Sequence, residues 1–145
     1  VTNGQPDAIY IRSSAASLSL YWRLGYVNSS NTFHILNQSG VGVYLTDGAT
    51  SWTGTSDERL KDIIEPISDA VSKVSSLRSV IGKFKTDSEG TRRSFLIAQD
   101  VKSVLPEAVD STNADALGVR YTEVIPLLVA AIKELSAEVN ALKNK

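Results

Sequence analysis

Ser56-Asp57-Glu58-Arg59-Leu60-Lys61 sets a hydroxyl and a primary amine five residues apart. A serine hydroxyl is a weak nucleophile until a neighbouring base takes its proton, and a neutral lysine amine can be that base. The chain offers little else for such chemistry, having no cysteine and a single histidine, His34. Disulfides, thiolate metal sites and histidine-based triads are thereby excluded. His34 reads as a surface or satisfied strand residue. No metal site and no cofactor is expected.

The chemistry sets its own conditions. Free lysine titrates near about 10.4, so holding it neutral near pH 7 costs about 4 kcal/mol. Burial supplies shifts of that size. Asp57, Glu58 and Asp62 favour the ammonium, whereas Arg59 disfavours it. Lys61 is therefore expected to stay protonated in a lone, wet chain and to become a base when copies of the chain assemble and exclude water. On a regular helix five residues turn through about 500°, which puts the two side chains on different faces. Either Ser56 lies outside the helix as its cap, or Lys61 serves a neighbouring chain.

Attack on the Thr55 carbonyl passes through a five-membered ring to an ester. Attack by Ser56 on its own carbonyl needs a strained four-membered ring, so that cut would require water or another chain's serine. A scission beside Ser56, within Thr55-Ser56-Asp57, is expected on either side, with a backbone N–H as oxyanion donor.

The character of the chain changes at this same place. Residues 1–55 carry four charged side chains, Asp7, Arg12, Arg23 and Asp47, and seven of the ten aromatics. Short β-branched and aromatic runs at Ile9–Ile11, Ser17–Leu24, Thr32–Leu36 and Val41–Leu45 predict strands. Asn28-Ser29-Ser30-Asn31 and Asp47-Gly48 predict turns. Some 55 residues of short strands bury little surface alone, so a longer upstream chain or an intertwined β-structured oligomer is expected. The aromatics fit packing between chains better than stacking on sugars or a receptor.

Residues 56–145 read as a small mixed domain. Ser56 predicts a helix N-cap, followed by Asp57 and Glu58 and an apolar face of Leu60, Ile63 and Ile64 that ends at Pro66. A second amphipathic helix is predicted from Ile67 to Ile81. Phe84–Thr86 and Arg92–Ile97 predict a hairpin about Asp87-Ser88-Glu89-Gly90. Gln99–Leu105 predicts a helix stopped by Pro106, and Leu117–Tyr121 a strand. Thr122 then caps a long final helix. Its Ile125, Leu128, Ile132, Leu135, Val139 and Leu142 are spaced 3, 4, 3, 4 and 3, an a/d seam with β-branched residues at a and Leu at d. Glu138 falls at g and Lys143 at e. By itself such a seam favours a dimer, and it does not establish a trimer. The fold class expected for the chain is α+β, a β-rich segment followed by a hairpin domain with a coiled-coil-like helix.

Composition bounds the partners. The formal net charge is −1 and 42% of residues are hydrophobic, which leaves no basic footprint for nucleic acid and no polybasic membrane anchor. No apolar run reaches the roughly 18 residues a membrane span needs. Val1-Thr2-Asn3-Gly4-Gln5 lacks the marks of a signal peptide and reads as interior to a longer chain.

Ser56-Asp57-Glu58-Arg59-Leu60-Lys61-Asp62-Ile63 resembles the Ser-Asp-x-Arg-x-Lys opening of the auto-cleaving intramolecular chaperone domain of phage tail spikes and tail fibres, the endosialidase-chaperone or S74 peptidase family. Leu96-Ile97-Ala98-Gln99-Asp100-Val101 with Val104-Leu105-Pro106-Glu107 is similar to its second block. Val119-Arg120-Tyr121 running into Val124-Ile125-Pro126 and on to Leu135 is similar to its third. One position departs from the pattern: Phe95 stands where the family commonly has Gly.

The resemblance implies a homotrimer, with Ser56 as nucleophile and Lys61 as general base. Residues 56–145 would be the chaperone and residues 1–55 the distal end of a fibre or spike, its client. It implies a fibre that meets a host cell-surface receptor on the virion, and a chaperone that acts in the host cytoplasm during assembly and is then released. Gln99, Asp100 and Glu107 fit structural roles. A different class of function is a non-enzymatic trimerisation cap in which Ser56 only caps a helix. A third is the tail of an oligomeric enzyme. Residues 1–55 show no paired carboxylates in a glycosidase spacing.

Overall fold

A computed structural model describes residues 8–12, 21–27 and 30–144. They form two compact units, residues 1–63 and residues 64–145.

The first unit is one antiparallel sheet in chain order, β1 (Ala8–Arg12), β2 (Tyr21–Val27), β3 (Thr32–Asn37), β4 (Gly42–Thr46) and β5 (Thr53–Gly54). Three of the expected strands are present, and a fourth, β2, starts at Tyr21; Ser17–Leu20 and Asn28-Ser29 lie outside the described residues. Pairing Ile9↔Leu24↔Ile35↔Val43 and Tyr26↔Phe33↔Leu45 gives one face of aliphatic and aromatic side chains. Trp52 joins that face, its ring 6.3 Å from Phe33. The other face mixes Tyr10, Arg23, Thr32, His34, Leu36 and Tyr44, with His34 stacked on Tyr44 at 5.4 Å. Burial and the Arg23 charge lower the pKa of His34; it is a half-buried strand residue whose Nδ1 is buried without a hydrogen-bond partner, so it is neither at the surface nor fully satisfied as expected. Ile9, Ile11, Trp22 and Trp52 of the apolar face are exposed.

After β5 the chain takes a single 3-10 turn at Glu58–Leu60 and then runs without regular structure to Ser68. The helix expected here does not form. Pro66 blocks propagation, and Leu60, Ile63 and Ile64 find no core, Ile64 being 93% exposed.

The second unit has the order α1 (Ala70–Ser75), β6 (Ser79–Gly82), β7 (Arg93–Leu96), α2 (Ala98–Val104), a 3-10 turn at Pro106–Ala108, β8 (Val109–Asp110), β9 (Gly118–Val119) and α3 (Tyr121–Lys143). Two pairs of strands, β6 with β7 and β8 with β9, are antiparallel. The chain is thus α+β. The second helix is shorter than its periodicity predicts and stops at Ser75, where Ser75 and Ser76 hydroxyls bond back to the Val71 and Lys73 carbonyls. Val80 and Ile81 are drawn into a strand instead, so the hairpin's first strand lies at Ser79–Gly82, not at Phe84–Thr86. Asp87 organises the longer loop, accepting from the N–H groups of Glu89, Gly90 and Thr91. Phe95 is accommodated edge-on against Phe84 at 5.3 Å, with the Arg93 guanidinium over the Phe84 ring.

Val101, Ala108, Val109 and Val124 form one buried cluster and Ala70, Leu127 and Ala131 another; Leu77 and Leu105 pack on both. The final helix begins at Tyr121, not after a Thr122 cap. Arg120 N–H bonds the Ala108 carbonyl at 2.8 Å, and the Tyr121 hydroxyl accepts the Leu96 N–H at 3.0 Å, which draws Tyr121 into the first turn.

Candidate active site

The sheet of the first unit leads directly to the Ser56 segment. Val43↔Gly54 and Tyr44↔Thr53 are the rungs of the short β4–β5 ladder. Thr55 extends it, giving its N–H and its hydroxyl to the Gly42 carbonyl at 3.2 and 3.3 Å. Ser56 follows, outside any helix. The N-cap is Asp57, not Ser56: its backbone is extended and its carboxylate accepts the Arg59 N–H at 2.9 Å.

The tight turn then closes with Leu60 N–H on the Asp57 carbonyl and Lys61 N–H on the Glu58 carbonyl. Lys61 is its C-cap, with extended dihedrals. Leaving the turn at both ends removes the angular mismatch of a regular helix, and the side chains meet: Lys61 Nζ donates to Ser56 Oγ at 2.8 Å. One chain supplies both groups. Both residues are exposed in the single chain.

Asp57 and Arg59 settle the local charge. Arg59 Nε lies 3.0 and 3.1 Å from the two Asp57 carboxylate oxygens. Hydrogen bonds from the Arg59 side chain and backbone, with a smaller contribution from the Lys61 charge, hold the Asp57 carboxyl below its ordinary range. That carboxylate is engaged by the guanidinium, and the ammonium is left to the serine hydroxyl.

The seam residues Ile125, Leu128, Ile132, Leu135, Val139 and Leu142 are all exposed on α3, and they lie along the helix beside the stripe that serves the core. That buried stripe is Val124, Leu127 and Ala131. Sequence periodicity singled out the stronger apolar seam and missed this one, whose signal is an alanine where the seam has isoleucine.

Other structural residues escaped notice or were placed without partners. Glu134 reaches from α3 to the start of α1, its two oxygens accepting the Ala70 and Val71 N–H groups at 3.0 and 2.9 Å. Those bonds lower its pKa. Asp100 holds Arg78 in a two-point pair at 2.7 and 2.9 Å, and Glu107 offers its carbonyl to Arg120. Val80, Ile81, Phe95, Tyr121 and Leu128 line an open apolar groove of about 360 Å³ between the β6–β7 hairpin and α3. Among the described residues no group of three or more His, Asp or Glu stands close enough to hold a metal, and no helix is long and apolar enough to cross a membrane.

Residues 56–110 match Peptidase_S74, described as the chaperone of endosialidase. This stretch is an endosialidase-chaperone domain. Its match begins at Ser56 itself and covers the turn, α1, the hairpin, α2 and β8. The chain is also similar to the long tail fiber protein Gp37 of Enterobacteria phage K3, 34% identical over 127 residues, and to that of Enterobacteria phage T2, 35% identical over 127 residues. Each match covers 83% of this chain and 10% or 9% of the relative. The chain therefore spans about a tenth of the length of these relatives. The likeness is longer than residues 56–145, so it runs from the endosialidase-chaperone domain into the sheet.

Proposed function

We propose that residues 56–145 are an intramolecular chaperone that drives homotrimeric assembly of a phage tail fibre or spike, and that they release themselves by self-cleavage at Ser56. The client is the upstream fibre, of which residues 1–55 are the distal end. The observation that carries this reading is the 2.8 Å contact between Lys61 Nζ and Ser56 Oγ, set immediately after the last strand of the sheet. The domain family and the tail-fibre relatives support the chaperone and its phage setting. Action in the host cytoplasm, residence of the fibre on the virion and contact with a host cell-surface receptor follow from that assignment. The unpartnered seam on α3 and the exposed apolar face of the sheet support association of identical chains, since a sheet with one apolar face needs a second layer.

In the resting chain the Lys61 ammonium donates to Ser56. Assembly excludes water around it and so favours the neutral amine. The amine takes the Oγ proton as Oγ bonds to the Thr55 carbonyl carbon through a five-membered ring. The Thr55–Ser56 C–N bond then breaks, Lys61 returns the proton to the departing Ser56 nitrogen, and an ester joins Thr55 to Oγ. Water hydrolyses that ester, leaving a carboxylate at Thr55 and a free amine and hydroxyl on Ser56. Two hydrogen bonds holding Thr55 against Gly42 favour this bond over the one after Ser56.

Denaturing gels of the full chain against Ser56→Ala test the reading. It requires a fragment running from Ser56 to Lys145 in the wild type and none in the variant. Identical, uncut behaviour of both with assembly intact would instead support a trimerisation cap.

A further inference from the structure

The link between Thr55 and Gly42 ties the bond beside Ser56 to the client's own sheet. We propose that Gly42 and Thr55 are positioning residues for self-cleavage, so that the folded β3–β4 hairpin presents the scissile junction to Ser56. This rests on the self-cleavage reading above.

The reasoning starts from sterics. A Cβ built on Gly42 would lie 2.1 Å from the Ile35 carbonyl oxygen and 2.9 Å from the Leu36 Cα. Both obstacles are backbone atoms, so no side-chain rotation relieves them. Any residue but glycine must push β4 away from β3 at the Leu36↔Gly42 rung, where Leu36 is buried. The carbonyl that would move is the one that receives both Thr55 donors, at 3.2 and 3.3 Å. Thr55 is the last residue held by the ladder, and Ser56 is the first beyond it. The Thr55 N–H fixes where the residue bearing the attacked carbonyl sits, and the 3-10 turn separately fixes Ser56 Oγ against Lys61. Reaction needs both halves in register, and a misplacement of about 1 Å costs on the order of 100-fold in rate. An unfolded or unregistered client hairpin leaves the dyad formed and its target loose. The chaperone would thereby separate only from a client whose end has folded.

The test uses the full chain, following cleavage on denaturing gels and assembly state by light scattering in the same samples. Gly42→Ala and Thr55→Pro, which deletes the N–H, are expected to slow cleavage by about 10- to 100-fold while assembly persists. Thr55→Ser keeps both donors and is expected to restore cleavage relative to Thr55→Pro. Tyr10→Ala weakens the far edge of the same sheet, in β1, on the face opposite the apolar one, and is expected to cut normally. Wild-type rates in Gly42→Ala and Thr55→Pro, or an equal slowing in Tyr10→Ala, would overturn the proposal.

A second readout does not depend on cutting. In the Ser56→Ala chain, amide exchange at Thr55 is expected to be slow and to accelerate when Gly42→Ala is added. Rapid exchange at Thr55 without the Gly42 change would overturn the anchor itself. Absence of any Ser56-dependent cleavage, with Thr55 still protected, would count against the self-cleavage reading and withdraw the positioning role while leaving the anchor standing.

Discussion

Leu127 and Leu128 are neighbours in α3, yet Leu127 is 0% exposed against Ala70 and Ala131 while Leu128 is left 42% exposed on the adjoining face. A step of about 100° along a helix separates them. One helix thus carries two apolar stripes. The first, Val124, Leu127 and Ala131, closes the domain's own core. The second, from Ile125 to Leu142, is unpartnered in the single chain.

Truncation should separate the two. Leu127→Ala is expected to destabilise the domain by about 2–5 kcal/mol, read by urea denaturation. The pair Ile132→Asp with Leu135→Asp should leave the fold intact, as both residues are exposed, and should yield monomers by light scattering. Those monomers are expected to remain uncut; a demonstrated monomer that cleaves normally would break the link between assembly and reaction.

Lys61 can be tested without removing its charge. Lys61→Arg keeps a cation near Ser56 but cannot release a proton near neutral pH. Both Lys61→Arg and Lys61→Ala should slow cleavage by about 10²- to 10⁴-fold, with assembly unchanged. Normal cutting by the arginine variant would assign Lys61 an electrostatic task in place of proton transfer.

Arg59 keeps the Asp57 carboxylate occupied. Arg59→Ala frees that carboxylate to compete with Ser56 for the Lys61 ammonium. Slower cleavage is expected, read on the same gels, while the melting temperature barely moves because the pair is on the surface. Restoring the rate with the double variant Arg59→Ala, Asp57→Asn would identify the freed carboxylate as the cause.

Glu134 gives a pH signature. Its carboxylate accepts two backbone N–H groups at the start of α1, and its pKa in the folded domain is lowered from the ordinary 4.5. The stabilisation is therefore complete above the ordinary value and is lost as pH falls through the lower one. Glu134→Gln should melt below the wild type at neutral pH, and the gap should close in acid. A gap independent of pH would mean that packing, not charge, makes the difference.

The sequence was most readable where local chemistry dominates. The short strands flanked by turn residues, the α2 helix ending before Pro106, and the long final helix are all present. The Ser56–Lys61 pair stood out by residue type, and its spacing left open whether Ser56 lay outside a helix. Asp57 resolved that by taking the cap, a choice that spacing alone could not make, since Ser and Asp are both good caps. The errors cluster where tertiary contacts override pattern. Val80 and Ile81 continue a helical periodicity but pair with Phe95 and Ser94 in the hairpin. Leu60, Ile63 and Ile64 look like a helix face and have no core to meet. Gly42 and Glu134 act across the fold, on Thr55 and on Ala70 and Val71, so nothing in their neighbourhoods announced them.

Intact-mass analysis of the purified wild-type assembly, with N-terminal sequencing of any fragment, tests the central claim most directly. Two species are predicted, one ending at Thr55 and one beginning at Ser56, and neither should form in Ser56→Ala. A wild-type assembly that retains one uncut mass after prolonged incubation under native conditions, or a fragment starting elsewhere, would contradict it.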